Sequence, residues 1–391
     1  MRSSVINREP LIHISRRSDI SRLMTIIIKA VTIVVALILC GLISNAFAPG
    51  SFFTFYQYVF EGTLYSPNTI LSTLWNAALL LLIAVAITPA FKMKFWNIGA
   101  EGQCLMGALG TLIALKFIAP HVPNFIALVI EVIMAATFAI IWSVIPAFFN
   151  ARFKTNETLF TLMMNYIAMG LVAACVVAWS TSGSNVLGVV NNTNHEGWLP
   201  FIGDFGNSYI LNIILVVVAA ICINAYLKFS QHGYELSVVG GSRNTAKYLG
   251  INAKMVIIRT MLLTGSLCGL AGFLMVAGAS HTITSSLVGG RGFTAILVAW
   301  LGDFNVPFML IYSFLVSFVS IGSSNAAAWI GYSSTISNVL TGIFFLLVII
   351  SNFFINFRLH IKLPKFKKKE EIVIEEPVAQ EEIVEEKEGN K

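Results

Sequence analysis

Long apolar runs, separated by short polar connections, make up most of this sequence. Eight runs are close to the ~20 residues that an α-helix needs to cross a bilayer. They are Met24–Ala48, Thr69–Phe91, Ile98–Ala119, Asn124–Phe149, Leu159–Ser180, Tyr209–Phe229, Met255–Ala279 and Thr335–Ile355. One further region is broken, because Phe293–Leu301 is too short to span and Gly302–Asn305 separates it from Val306–Ile321. Two short helices are the simplest interpretation, and they bring the predicted total to ten.

The positive charges predict on which side of the membrane each connection lies, since cytoplasmic loops are enriched in lysine and arginine. If the N-terminus is cytoplasmic, the loops on that side carry most of the basic residues that lie between the segments, namely Lys92, Lys94, Arg152, Lys154, Lys228, Arg243, Lys247 and Lys254. The longest loop on the other side, Thr181–Ser208, has neither lysine nor arginine. The basic residues after the last run require an even number of crossings. We therefore predict an all-α polytopic membrane protein with about ten transmembrane helices and both termini in the cytoplasm.

Composition agrees with this class and divides the chain into three parts. Hydrophobic residues make up 57% of the 391 residues and charged residues 11%, against about 25% charged in soluble domains. We predict a cytoplasmic extension at residues 1–23, a transmembrane domain at residues 24–356, and a disordered cytoplasmic tail, basic and then acidic, at residues 357–391. Because the basic residues flank apolar runs, the expected contact is the lipid bilayer and not nucleic acid.

Several kinds of chemistry are not supported by the sequence. The five cysteines have no short paired spacing, the six histidines form no HExxH motif, and no GxxxxGK[ST] nucleotide loop is present. No nucleophile stands in a sequence pattern with a base. We therefore expect no metal site, no cofactor and no enzymatic activity, and we expect energy for any transport to come from a partner.

Two glycine-rich polar sequences interrupt the apolar pattern and are the candidate transport path. They begin the third and eighth predicted segments, and with one asparagine they supply the candidate residues Asn97, Gly99, Glu101, Gly102, Gln103, Asn165, Gly290, Arg291, Gly292 and Thr294. An inverted 5+5 repeat would place such broken helices opposite each other around a path. The alternative is that the glycines only let helices pack closely. Within the path hypothesis, we interpret Glu101 as a helix-break and packing residue more than as a solute ligand.

A predicted cytoplasmic loop contains a short helix that could contact a partner. Ser242 is a suitable N-cap, and Gly250 a suitable stop. Arg243 and Lys247 would share one side of this helix, with Ala246 and Leu249 near one another on a different face.

These motifs together resemble the permeases of bacterial ABC importers of the ribose and branched-chain amino-acid type, and most closely the nucleoside and simple-sugar branch. The resemblance covers roughly residues 25–356 and rests on four sequences, Asn97–Gln103, Thr155–Ile167, Ala246–Ile251 and Gly290–Ile296. It implies a channel-forming subunit in the bacterial cytoplasmic membrane that works by alternating access. Its implied partners are a second, related permease in a heterodimer, an ATPase with two nucleotide-binding halves, and an extracytoplasmic substrate-binding lipoprotein.

The resemblance also implies roles for the two candidate sites. Ser242–Gly250 would be the coupling helix that enters the ATPase, with contacts from Ser242, Arg243, Ala246, Lys247, Tyr248, Leu249 and Gly250. The two glycine-rich sequences would be helix breaks beside the path. Nucleosides, ribose-like sugars and riboflavin-like ligands all suit the family as solutes. Two other classes stay open: an ion-coupled secondary transporter using Glu101 or Glu131, and a membrane scaffold without transport, against which the polar broken helices argue.

Overall fold

The computed structural model describes residues 12–16, 21–180, 186–202, 209–331 and 333–361. Thirteen α-helices and two short strands lie in these ranges. In chain order they are β1 (Ile12–Arg16), α1 (Arg22–Phe47), α2 (Phe52–Leu64), α3 (Pro67–Lys92), α4 (Ala100–Phe117), α5 (Asn124–Phe153), α6 (Glu157–Trp179), α7 (Tyr209–Phe229), α8 (Gln231–Gly241), α9 (Arg243–Tyr248), α10 (Ala253–Met275), α11 (Arg291–Leu301), α12 (Val306–Ile330), α13 (Ser334–Asn356) and β2 (Phe357–Ile361). A single π-helical turn, Val276–Ser280, extends α10.

All ten predicted segments are helices in the structure. Within the described residues, nine helices are long and apolar enough to cross a membrane, and α11 is a shorter apolar helix. The predicted fold class, a helical multi-pass membrane protein, is confirmed. The cytoplasmic position of the termini and the inverted repeat stay predictions, and we use "inner" and "outer" below for the ends that the charge pattern assigns to the cytoplasm and to the exterior.

Helix α3 forms the centre of the bundle. Every residue from Ala77 to Phe91 is buried, whereas α1, α5 and α7 leave most of their surface uncovered. A helix that is apolar all round has no face that prefers water, so it can be enclosed by its neighbours. Helices α4 and α10 are also buried over most of their length. The glycine-rich sequence that begins α4 therefore lies in the interior of the fold.

Small residues let α4, α5 and α10 approach one another closely. A Cβ atom placed on Gly107 of α4 would lie 2.6 Å from the Cα atom of Gly269 in α10. One on Gly269 would lie 2.6 Å from the carbonyl oxygen of Ala135 in α5. In a lipid environment, where tails are as apolar as the helices, this close backbone packing is a main source of helix association.

At the inner end, α8 and α9 pack against the ends of the transmembrane helices. Leu236, Val239 and Ala246 from these two helices share a buried apolar cluster with Met93 and Phe95, which follow α3. This cluster connects the predicted coupling helix directly to the segment that leads into α4.

The segments on either side of the helical bundle also pair with each other. Strand β1 pairs antiparallel with β2, and Ile12 lies opposite Ile361 in the register. This ribbon is an addition to the all-helical prediction and includes the first residues of the predicted tail. The remainder of the predicted extension and tail, residues 1–11, 17–20 and 362–391, lies outside the described residues, as do residues 181–185 and 203–208 of the predicted outer loop.

Replacing Gly107 with valine should destabilise the protein, because the new side chain meets backbone atoms of α10 that cannot move aside. We expect a loss of about 1–3 kcal/mol, as for other overpacked cores, seen as a lower melting temperature of the purified protein in detergent. Gly170→Val in α6 is the matched control, since a Cβ atom there meets nothing within 4 Å. Equal melting temperatures for the two variants would contradict the close α4–α10 packing.

Candidate functional site

The two glycine-rich sequences meet, and Glu101 joins them. Glu101 lies in the first turn of α4, and its side chain is only 2% exposed. Its Oε1 atom accepts a hydrogen bond from the Gly290 backbone N–H at 2.8 Å, and its Oε2 atom accepts one from the Gly292 N–H, also at 2.8 Å. The first N–H groups of a helix have no partner within the helix, and the helix dipole favours negative charge there. Glu101 therefore caps the N-terminus of α11.

The two glycines permit this contact for different reasons, lack of space at Gly292 and backbone conformation at Gly290. A Cβ atom on Gly292 would lie 2.5 Å from the Glu101 backbone nitrogen and 2.8 Å from its Cα atom. Gly290 has a φ of +78°, in the left-handed region that side chains rarely adopt. The sequence offered two interpretations of these glycines, close helix packing and a helix break. Both apply where Glu101 meets the start of α11.

Asparagine side chains fix the break before α4. The Asn97 Oδ1 atom accepts hydrogen bonds from the Gly99 N–H at 3.0 Å and from Gln103 Nε2 at 3.2 Å. Asn165, on α6, accepts from the Gly102 N–H at 2.8 Å and donates to the carbonyl oxygen of Ile98 at 3.0 Å. These polar groups are buried and bonded to one another, as polar groups in a membrane interior must be.

Arg291 turns away from this network toward a cavity. Its guanidinium donates to Asn76 Oδ1 at 2.8 Å and to the carbonyl oxygen of Val288 at 3.0 Å. One turn further, the Thr294 hydroxyl donates to the Gly290 carbonyl at 3.2 Å. The start of α11 thus has one side on Glu101 and the other on the cavity.

The cavity, which we call the polar cavity, has a volume of about 340 Å³ and lies between α3, α11, α12 and α13. Its lining consists of Asn76, Leu80, Gly289, Arg291, Thr294, Val316, Ser317, Ser320, Ile321, Asn338, Thr341, Gly342 and Phe345. Of the predicted path residues, Arg291 and Thr294 line it. The others, Asn97, Gly99, Glu101, Gly102, Gln103, Asn165, Gly290 and Gly292, do not; they form the packed network behind it.

Most of the lining was not identified as a site from the sequence. Asn338, Thr341, Gly342 and Phe345 recur at the three- and four-residue spacing of one helix face, which is the one signal that could have identified α13 as a wall. Ser313, Ser317 and Ser320 have the same three- and four-residue spacing in α12, but only the last two line the cavity.

Aromatic side chains fill the inner side of α11. The Trp300 ring lies 5.4 Å from the ring of Trp96 and 6.2 Å from that of Phe91, which also stacks on Phe304 at 6.2 Å. The outer side of α11 is therefore polar and open, whereas its inner side is closed by packed rings.

The predicted coupling helix is present and has one buried face. The Ser242 hydroxyl accepts a hydrogen bond from the Thr245 N–H at 3.3 Å, and Gly250, with a φ of +75°, follows the end of the helix. Ala246 is fully buried, whereas Tyr248 is 92% and Leu249 56% exposed. The Leu249 N–H still donates to the Thr245 carbonyl at 3.1 Å, so Leu249 continues the helical turn as its C-terminal cap but is exposed, unlike the buried Ala246. Arg243 and Lys247 are exposed.

Comparison with known proteins shows the family to which the chain belongs. The sequence matches the family model described as branched-chain amino acid transport system, permease component, over residues 69–350. It is 28% identical to a guanosine ABC transporter permease of Bacillus subtilis, with 68% of this chain and 77% of that protein covered. It is 26% identical to a nucleoside ABC transporter permease of Lactococcus lactis, covering 88% and 94% respectively, and 25% identical to a glucose ABC transporter permease of Haloferax volcanii, covering 78% and 82%. The chain belongs to the family of permease components of branched-chain amino acid transport systems, and it is a multi-pass subunit of an ABC importer.

Proposed function

We propose that this chain translocates a nucleoside or a simple sugar across the cytoplasmic membrane by alternating access. The observation that carries the proposal is the family match over residues 69–350, together with relatives that are permeases for guanosine, nucleosides and glucose. The polar cavity supports it, because hydroxyl and amide side chains line most of its polar surface. Such groups exchange hydrogen bonds with the hydroxyls of sugars.

The energy for transport comes from partner subunits. The sequence has no nucleotide-binding loop, and α9 presents Tyr248 and Leu249 to the surroundings at the inner end. We propose that an ATPase with two nucleotide-binding halves receives α9, that a second, related permease completes the path as a heterodimer, and that an extracytoplasmic lipoprotein delivers the solute.

A continuous set of contacts leads from α9 to α11. Ala246 is packed in the same buried cluster as Met93 and Phe95. The Asn97 N–H donates to the carbonyl oxygen of Phe95 at 2.9 Å, and the network around Asn97 holds the start of α4, where Glu101 binds α11. A displacement of α9 by the ATPase would therefore reach the floor of the polar cavity through apolar packing at one end and hydrogen bonds at the other. In this account Glu101 is a positioning residue.

One observation favours the second candidate, an ion-coupled transporter. Glu131 in α5 is fully buried, and within the described residues neither of its carboxyl oxygens has a hydrogen-bond partner. A buried carboxyl group without a partner is costly in a membrane and often marks an ion path. Uptake into proteoliposomes that contain the reconstituted transporter distinguishes the candidates: we expect it to require ATP and the ATPase subunit, and to persist when proton and sodium gradients are collapsed.

Charged residues at the exposed end of α9 should abolish transport. In the double variant Tyr248→Asp, Leu249→Asp, an apolar surface becomes anionic while the buried Ala246 contact stays in place. We expect ATP-dependent uptake to fall to background while the amount of protein in the membrane stays unchanged. Tyr65→Asp is the control, since Tyr65 is 84% exposed at the outer end and should keep normal uptake. Normal uptake in the double variant would contradict the coupling role.

Glu101→Gln tests whether this residue positions α11 or binds the solute. The amide has one acceptor oxygen where the carboxylate has two, so it leaves one buried N–H of α11 without a partner, at a cost of about 1–3 kcal/mol. We expect the melting temperature, ATPase coupling and uptake to fall together. Glu61→Gln is the control, because the Glu61 Oε1 acceptor for Gln57 remains in the amide. If stability and ATPase coupling stay intact while uptake disappears, Glu101 contacts the solute or its gate.

A further inference from the structure

We infer that the polar cavity, lined by α3, α11, α12 and α13 of this chain, is a binding site for one hydroxyl-bearing ring compound of nucleoside size that carries no positive charge. The inference rests on the proposed function and goes further by naming the residues that select the solute. Its basis is the chemistry and the dimensions of the cavity wall.

The cavity wall contains polar groups that the protein itself leaves available. Within the described residues, the Asn338 amide and the hydroxyls of Ser317 and Ser320 have no hydrogen-bond partner. Each of them lines the cavity, on α12 or α13. Ser317 is buried, and a buried polar group in a membrane protein needs a partner or a polar occupant. Ser320 and Asn338 are exposed at the opening of the cavity, where an entering solute would meet them. The Asn338 amide can donate and accept hydrogen bonds, and so can each of the two serine hydroxyls. These groups can therefore pair with two neighbouring hydroxyl groups of a solute, each of which also donates and accepts.

The charge of the wall excludes cationic solutes. Arg291 is the only ionisable residue in the lining. Asn76 and Val288 accept hydrogen bonds from it, and it experiences the opposite charge of Glu101 from behind. The wall therefore offers a partly compensated positive group and no carboxylate. It repels a cation and donates hydrogen bonds to a solute with acceptor atoms.

The remaining wall is apolar and includes one aromatic ring. Leu80, Val316, Ile321 and Phe345 complete the lining. A planar ring packs well on an aromatic side chain, and base–aromatic stacking contributes about 1–3 kcal/mol. A cavity with hydroxyl-binding groups and an apolar wall of this kind accommodates a sugar joined to a flat ring better than a sugar alone.

The dimensions and opening agree with one small molecule. A volume of about 340 Å³ lies at the lower end of the ~300–1,000 Å³ found for small-molecule sites. Gly289, Ser320, Asn338 and Gly342 are exposed and form the opening, while the start of α11 forms the floor. The solute would thus rest on the helix end that Glu101 holds.

The test is uptake by the full complex, comprising this chain with its partner permease, ATPase and binding lipoprotein, using labelled guanosine and labelled glucose as probes. Asn338→Leu keeps the size of the side chain and removes its hydrogen bonds, and Gly342→Leu adds a side chain at the opening, where a Cβ atom meets nothing within 4 Å. We expect Asn338→Leu to raise the KM for guanosine by about tenfold, the effect of losing one or two hydrogen bonds. Gly342→Leu should also raise this KM, because the added side chain narrows the opening, and both variants should keep the ATPase activity and melting temperature of the unmodified protein. Asn224→Leu, on the exposed surface of α7, is the matched control.

A ribose-modified probe makes the test specific for the wall. 2′,3′-Dideoxyguanosine lacks the 2′- and 3′-hydroxyl groups that would bind Asn338. For this probe, Asn338→Leu and the unmodified protein should therefore have the same KM. If both cavity variants retain the guanosine KM of the unmodified protein, the binding site lies elsewhere and this inference is wrong, while ATP-dependent uptake still supports the proposed function. If the unmodified complex takes up neither guanosine nor glucose, the proposed function itself is contradicted, and the inference with it.

Discussion

The carboxylate of Glu101 bound to two backbone N–H groups is the interaction on which the rest of the site depends. Helix α11 begins inside the protein, where its first N–H groups would otherwise lack partners, and each such group costs several kcal/mol in a membrane interior. Glu101 satisfies the Gly290 and Gly292 groups at 2.8 Å. A broken helix is therefore stable at a depth where water cannot complete its hydrogen bonds.

The position of α11 in turn determines what lies on its two sides. Toward the outer side, Arg291 and Thr294 face the polar cavity. Toward the inner side, Trp300 packs among the rings of Phe91 and Trp96. A movement of α11 would alter the floor of the cavity and the aromatic closure together, which is what alternating access requires of a gate.

Sequence reasoning predicted the helices well because membrane crossing imposes a length and a composition that are visible in the chain. It did not predict α2, whose 13 residues are shorter than a span and include Glu61. It placed the two glycine-rich sequences opposite each other, but the bidentate contact between Glu101 and α11 depends on three-dimensional approach and has no local signature. The cavity wall was largely missed for the same reason, since Ser317 and Asn338 come together only when α12 and α13 pack. The exposure of Leu249 beside the buried Ala246 was not predicted either, because it depends on which residues of other segments pack against α9.

Backbone hydrogen exchange of residues 289–294 tests the central claim most directly. The measurement is made by mass spectrometry on the full-length protein in lipid nanodiscs, with the exposed loop around Asn192–Asn194 as an internal reference. The account predicts that the Gly290 and Gly292 amides exchange far more slowly than the reference loop, and that Glu101→Ala brings their exchange close to it. Rapid exchange of these amides in the unmodified protein would contradict the claim that Glu101 holds the start of α11.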